Sequence, residues 1–218
     1  MPPVGNDIVD LEAPGNLGKS GDSRFLDRVL AAKERHLIAG AARPDALLWA
    51  FWAAKEAAYK AISRGDPSVC SIPHQYHVVL EKGGTTGTDT LRTGKVITPR
   101  GELALRIDWE GDRVHALAAG SEAALDRLCL HAEKLDGIGD PSIPIRERLL
   151  GEIARFLNCA ASELSTAKDQ RGPGAPLVLF RGHPLAAEVS LSHDGRFAAF
   201  AFDPVTLSAY LDGSPFHP

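Results

Sequence analysis

Leu47-Leu48-Trp49-Ala50-Phe51-Trp52-Ala53-Ala54-Lys55-Glu56-Ala57-Ala58-Tyr59-Lys60-Ala61 is the stretch on which the fold turns. Its alanine content favours helix, and the pattern predicts one that begins near Asp45 and stops before Gly65 and Pro67. Trp52, Glu56 and Lys60 recur at intervals of four, so they form one stripe of indole, acid and base. An isolated Glu to Lys pair at that spacing is ordinarily a solvated surface pair, contributing roughly 0.3 kcal/mol. The neighbours argue otherwise: Phe51, Trp52, Ala53, Ala54, Ala57 and Ala58 are too apolar and too small for a helix wetted all round. Lys55, Glu56 and Lys60 are therefore expected at a cleft or packed interface, where a carboxylate needs a cation partner.

Upstream, Asn6-Asp7-Ile8-Val9-Asp10-Leu11, bounded by Gly5 and by Pro14-Gly15, predicts a strand ending in a turn. Side chains alternate along a strand, so only one of Asp7 and Asp10 can share a cation with Glu56, and Asp7 is preferred. Two carboxylates from different elements suit Mg2+, which keeps waters and takes phosphate oxygens as further ligands. That donor set points to phosphoryl-transfer chemistry. Between strand and helix, Phe25, Leu26, Val29, Leu30 and Leu37 predict a single helix from Ser23 to about Ile38, with Asp22 or Ser23 as N-cap. On one helix, Arg24, Arg28 and Arg35 would project in nearly the same direction.

Downstream, strand-like runs at 76 to 80, 103 to 109 and 114 to 118 predict an antiparallel meander. Helices are expected at 122 to 130 and 145 to 157, the latter with Ile145, Leu149, Ile153 and Phe156 on one face. Short strands are expected at 177 to 180, 188 to 191 and 197 to 202, and the tail from Asp203 carries no signal. The plan is α+β, with helix followed by strands in residues 1–120 and again in 121–218. Asp112-Arg113-Val114-His115-Ala116-Leu117-Ala118-Ala119 and Asp194-Gly195-Arg196-Phe197-Ala198-Ala199-Phe200-Ala201 are loosely alike, each a charged turn leading into an alanine-rich strand.

Gly5-Asn6-Asp7 together with Trp52-Ala53-Ala54-Lys55-Glu56-Ala57-Ala58-Tyr59-Lys60-Ala61 resembles the paired GxD and WxxKEAxxKA signature of the 4'-phosphopantetheinyl transferases. Arg24-Phe25-Leu26-Asp27-Arg28-Val29-Leu30 resembles the helix that family places between the two motifs. Ser190-Leu191-Ser192-His193-Asp194-Gly195 resembles its Ser-His-Ser-Gly stretch, with Asp194 in place of the second small hydroxyl residue. The motif order is that of the short holo-acyl-carrier-protein synthases, whereas residues 121–218 resemble the N-terminal half of the large members. The resemblance thus implies a circularly permuted pseudodimer of two similar α+β halves, monomeric in building its site, with metal motifs in the first half and the Ser-His motif in the second.

The resemblance further implies transfer of 4'-phosphopantetheine from coenzyme A to a serine of an apo acyl or peptidyl carrier protein, releasing 3',5'-ADP. Asp7 and Glu56 would bind Mg2+, and Asp7, Glu56 and Lys60 would be catalytic. His193, Ser192, Lys60 and Lys55 would contact coenzyme A, and Arg24, Arg28 and Arg35 would dock an acidic carrier. The Gly-Lys-Pro loop lysine of large members is replaced by Ala175, leaving Arg171 or Lys168 to meet the 3'-phosphate. A Mg-dependent nucleotide diphosphate hydrolase and a non-catalytic coenzyme A-binding module are the alternatives.

Composition bounds these readings. Hydrophobic residues make up 44% and charged residues 24%, the balance of a globular chain. A net charge of -4 supplies no field for polyanions and argues against nucleic acid as main ligand. No apolar run approaches the roughly 18 residues that span a bilayer, and Met1-Pro2-Pro3-Val4-Gly5 does not resemble a signal segment, so no membrane partner and a cytoplasmic location are expected. Cys70, Cys129 and Cys159 are odd in number and scattered, which predicts buried thiols rather than disulfides or a zinc knuckle.

Overall fold

The computed structural model describes residues 3–81, 90–135, 139–168 and 176–210. Within them β1 (Val4–Asp10) leads through a 3-10 turn, Lys19–Gly21, to α1 (Ser23–Val29), α2 (Ala32–Ala39) and the long α3 (Pro44–Ser63). Then come β2 (His77–Leu80), β3 (Thr90–Thr98), β4 (Gly101–Glu110) and β5 (Arg113–Ala119). Short α4 (Glu122–Arg127) precedes β6 (Cys129–Lys134), α5 (Ser142–Leu157), β7 (Leu164–Lys168), β8 (Pro176–Phe180) and β9 (His183–Pro184). The hairpin of β10 (Val189–Asp194) and β11 (Phe197–Phe202) follows, then a 3-10 segment, Pro204–Tyr210.

The fold is α+β, and two helix-backed sheets dominate it. One has strand order β1-β5-β4-β3-β2, the other β10-β11-β6, and β7-β8-β9 form a third. The first two share a plan. In each, the leading strand pairs antiparallel with the last strand of its segment, which pairs antiparallel with the one before it: β1 with β5 with β4, and β6 with β11 with β10.

Period-two alternation stacks these sheets. On β5, Val114, Ala116 and Ala118 share a core with α3, while Leu117 and Ala119 face away and share one with Val4 and Ala201. On β11, Ala198, Phe200 and Phe202 pack with Ile145, Leu149 and Ile153 of α5. Its Phe197 and Ala199 meet Ile8 of β1. The layers thus run α3, first sheet, second sheet, α5. All six residues of β11 are buried, as expected of a strand covered on both faces. Alanines on the facing surfaces let the sheets approach closely, and Ala124, Leu125 and Leu128 of the α4 segment plug one end.

Glycine is required where α3 crosses β1. A Cβ on Gly5 would lie 1.9 Å from the Ala57 carbonyl oxygen and 2.7 Å from the Ala61 nitrogen, both backbone atoms. Hydrogen at this position lets the alanine face of α3, buried at Ala53, Ala54, Ala57 and Ala58, rest directly on the strand.

Several expectations are corrected. The helix from 23 to 38 is two, because Leu30 and Ala31 adopt extended conformations, although Asp22 does cap α1 by accepting from the Phe25 N–H at 3.0 Å. Arg35 therefore stands on a different axis from Arg24 and Arg28, and pairs with Asp27. Residues 129–130, expected to be helical, begin β6, and β3 and β7 are additional strands. Cys70 and Cys129 are exposed, not buried; Cys159 is half-buried, and all three thiols are free. The segment after Asp203, expected to carry no signal, is tied back: buried Asp203 receives a forked pair of bonds from Arg127, 3.0 Å from Nε and 2.7 Å from Nη2.

Candidate functional site

β1 is the hinge of the site because its two faces do different work. Gly5 and Val9 face α3, and Asp7 lies in the same alternating row, so its carboxylate reaches Lys60 with Oδ1 2.8 Å from Nζ. Val4, Ile8 and Asp10 face the second sheet and the turn after β10. On α3, Glu56 stands one turn before Lys60, so the acid and base stripe opens beside Asp7. Lys60 also donates to the Asn6 carbonyl at 3.1 Å and to the Leu191 carbonyl of β10 at 3.4 Å. One ammonium thereby joins β1, α3 and the second sheet. Asp7 is 13% and Lys60 30% exposed, so the pair is half-buried where β1, α3 and β10 meet, neither in the core nor on open surface.

The electrostatics follow from that half-burial. Desolvation raises the Asp7 carboxyl above its ordinary value, and the adjacent Lys60 ammonium opposes the rise. Glu56 is also raised, first by desolvation and then by the charge on Asp7, while a hydrogen bond from Ser71 Oγ to Oε1, 3.0 Å, works the other way. Burial thus disfavours the anionic form of both carboxyls. Among the described residues no group of three or more His, Cys, Asp or Glu converges as a metal site. Two carboxylates from different elements are the kind of donor set that suits an ion completing its shell with water and phosphate.

Asp10 is not part of this cleft. It is 1% exposed and takes Arg196 Nη2 at 2.6 Å, Arg196 Nε at 2.8 Å and the Arg196 and Glu12 backbone N–H groups. Burial by itself would raise its carboxyl, and these bonds more than reverse the effect, leaving it below its ordinary value. Arg196 also pairs with Glu12 and Asp112, both at 2.8 Å, and so ties the β10–β11 turn to both strands at one end of the β1–β5 ladder.

Two of the expected ligand contacts lie in the interior. Lys55 points into the interior: it is 2% exposed, and Nζ donates to Glu34 Oε2 at 2.7 Å, Val29 O at 2.8 Å and Pro73 O at 3.2 Å. Burial lowers its pKa from 10.5 despite the Glu34 charge, and with all three protons engaged it has none for a phosphate. The apolar surroundings were legible in the sequence; Glu34, which Lys55 meets there, was not. Ser192 is 5% exposed and its hydroxyl accepts from Asn6 Nδ2 at 3.0 Å. His193, next in the strand, is exposed, and its charge would act on both Asp7 and Asp140. Arg171, Ala175 and the Lys168 side chain lie outside the described residues.

Sequence reasoning missed Ser71, which bonds Glu56 from a loop that periodicity cannot place, and Arg196, whose three acidic partners lie far off in sequence. Asn6 was hidden between two motif residues.

A family description of the 4'-phosphopantetheinyl transferase superfamily matches residues 3–118, just over half of the chain. The matched stretch holds β1 and α3, and with them Asp7, Glu56 and Lys60. The chain belongs to that superfamily, whose general chemistry is phosphopantetheine transfer. No curated protein matches it. No helix among the described residues is long and apolar enough to cross a membrane.

Proposed function

We propose that this chain is a magnesium-dependent 4'-phosphopantetheinyl transferase of the holo-acyl-carrier-protein synthase type. It moves the phosphopantetheine arm of coenzyme A onto a serine of an apo acyl or peptidyl carrier protein in the cytoplasm. The observation that carries this reading is that Asp7 pairs with Lys60, with Glu56 one helical turn away, where β1, α3 and β10 of a superfamily member meet.

Asp7 and Glu56 would hold Mg2+, which supplies charge neutralisation at the coenzyme A diphosphate. Lys60 would steady the phosphate oxygens beside Asp7. His193, exposed beside Asp7, lies where a phosphate could meet it. The carrier serine oxygen attacks the β-phosphorus, the bond from that phosphorus to the oxygen bridging the two phosphates breaks, and 3',5'-ADP departs with the bond electrons. Glu56, or a water held beside it, would accept the serine proton.

The repeated strand order β1-β5-β4 and β6-β11-β10, each backed by a helix, supports reading residues 1–120 and 121–218 as two halves of a pseudodimer that completes its site as a monomer. Carrier docking is assigned to exposed Arg24 and Arg28 of α1, with Arg35 contributing less because Asp27 already engages it.

Incubation with coenzyme A, Mg2+ and an apo carrier should add the phosphopantetheine mass to the carrier. Release of nucleotide without that mass would make the chain a hydrolase, and ligand binding without either product would make it a binding module. Asp7→Ala and Glu56→Ala should each lower transfer by on the order of 10²-fold, about 2.7 kcal/mol of barrier, in folded protein; wild-type rates in both variants would refute the assignment.

A further inference from the structure

β1 pairs with β5 along one edge only, and its other edge lies over β10 without a backbone ladder between them. An open edge leaves strand N–H groups without partners and leaves the strand free to shift. Here side chains from alternate positions of β10 take the place of a ladder. Ser190 Oγ accepts from the Asn6 backbone N–H at 2.9 Å, Ser192 Oγ from Asn6 Nδ2 at 3.0 Å, and Asp194 Oδ2 from the Asp10 N–H at 2.9 Å. Asn6 is wholly buried, and its Nδ2 also stands 3.1 Å from His115 Nε2 on β5. Ser190 and Ser192 are 4% and 5% exposed. No solvent competes for these bonds, so each fixes position more firmly than a surface bond would.

Asn6 precedes Asp7, and its carbonyl is one of three acceptors holding Lys60. Any slip of β1 along β10 would therefore move Asp7 and the Lys60 anchor together. We infer that Asn6, Ser190 and Ser192 form a positioning seam that sets the register of β1 against β10, and thereby holds Asp7 where it can share a cation with Glu56. Ser192 on this view acts from behind the strand, through Asn6, and does not touch ligand. The inference rests on the proposed cation role of Asp7 and Glu56, and it assigns to their neighbours the job of keeping that pair aligned.

The measurement is magnesium binding to the full chain without coenzyme A, by titration calorimetry, alongside thermal unfolding and the kcat and KM of transfer. Asn6→Ala and Ser192→Ala should each weaken magnesium binding about tenfold, roughly the effect of 1.4 kcal/mol, and lower kcat more than they raise the KM for coenzyme A. Ser192→Thr, which keeps the hydroxyl, should bind magnesium within about twofold of wild type. Lower melting temperatures with unchanged magnesium affinity would make the seam merely structural and overturn the inference. A raised KM for coenzyme A with unchanged magnesium affinity would make Ser192 a ligand contact, and would overturn it equally. Absence of magnesium binding in the wild type would defeat the reading of the Asp7 and Glu56 site itself, and the inference with it. Wild-type binding in Asn6→Ala and Ser192→Ala defeats the inference alone.

Discussion

Glu56 and Lys55 are adjacent in sequence and opposite in consequence. Glu56 opens on the cleft, where burial and the Asp7 charge raise its carboxyl. A carboxyl raised in the folded state favours folding most when protonated, so its contribution is present at low pH and is lost as pH rises through the folded value. Glu56→Gln keeps an acceptor for Ser71 and removes the charge. Without divalent ions it should melt above wild type at pH 7 and converge with it near pH 4, and added magnesium should stabilise wild type but not the variant. Differential scanning calorimetry across that range checks both. Lys55 is an interior ion, paired with Glu34, which is itself 2% exposed and also receives the Val78 N–H at 2.9 Å and the Ala31 N–H at 2.7 Å. Lys55→Met would strand that carboxylate and should cost about 3 kcal/mol or more in urea unfolding. Coenzyme A affinity in whatever protein remains folded should stay unchanged.

Among the elements, α3 and β1 were legible in sequence because each is strongly patterned: an alanine-rich apolar run with punctuation at both ends, and a short β-branched run between glycine and a turn. Their crossing was not legible. Gly5 read as the boundary of a strand, yet its role is to admit the Ala57 carbonyl, a fact that needs both elements in place. Gly5→Ala forces backbone to move and should cost about 3 kcal/mol, the upper range for overpacking, read as a lower denaturation midpoint with reduced transfer activity. The elements that escaped prediction escaped for physical reasons. β3 alternates polar Thr, Arg and Lys with a few apolar residues around Gly94, which has no Cβ because the Val79 carbonyl oxygen would lie 2.2 Å from it. β6 follows α4 after a single residue, so its leucine and alanine extended the helical pattern. The break between α1 and α2 carries no proline or glycine; Leu30 is extended and fully buried there, and tertiary packing overrides its helical preference.

At the scale of the whole molecule, the likeness between the segments beginning at Asp112 and Asp194 marks the two hairpins, β4–β5 and β10–β11, that occupy matching places in the two sheets. What the sequence could not display was how the sheets are fastened. Arg196 reaches back to Asp10, Glu12 and Asp112, and Asp10 is the buried member of that group. Because the carboxyl of Asp10 is lowered by its partners, its contribution is present above the ordinary value of 3.8 and is lost as pH falls through the folded value. Arg196→Ala should therefore destabilise the protein at pH 7, because it leaves the buried Asp10 carboxylate without its cation. The difference from wild type should shrink as pH falls below the ordinary value of 3.8 and the Asp10 carboxyl protonates, in parallel acid titrations followed by tryptophan fluorescence. Magnesium affinity should respond far less than it does to Asp7→Ala, since Asp10 faces away from the cleft.

The third acceptor of Lys60 is the carbonyl of Leu191, 131 positions further along the chain. During synthesis, both motif-bearing elements leave the ribosome long before the strand that closes their cleft exists. A nascent chain halted ahead of residue 189 carries every acid and base of the cluster and none of its back wall. The order of translation thereby leaves the cluster without β10 until residues 189–194 have been made.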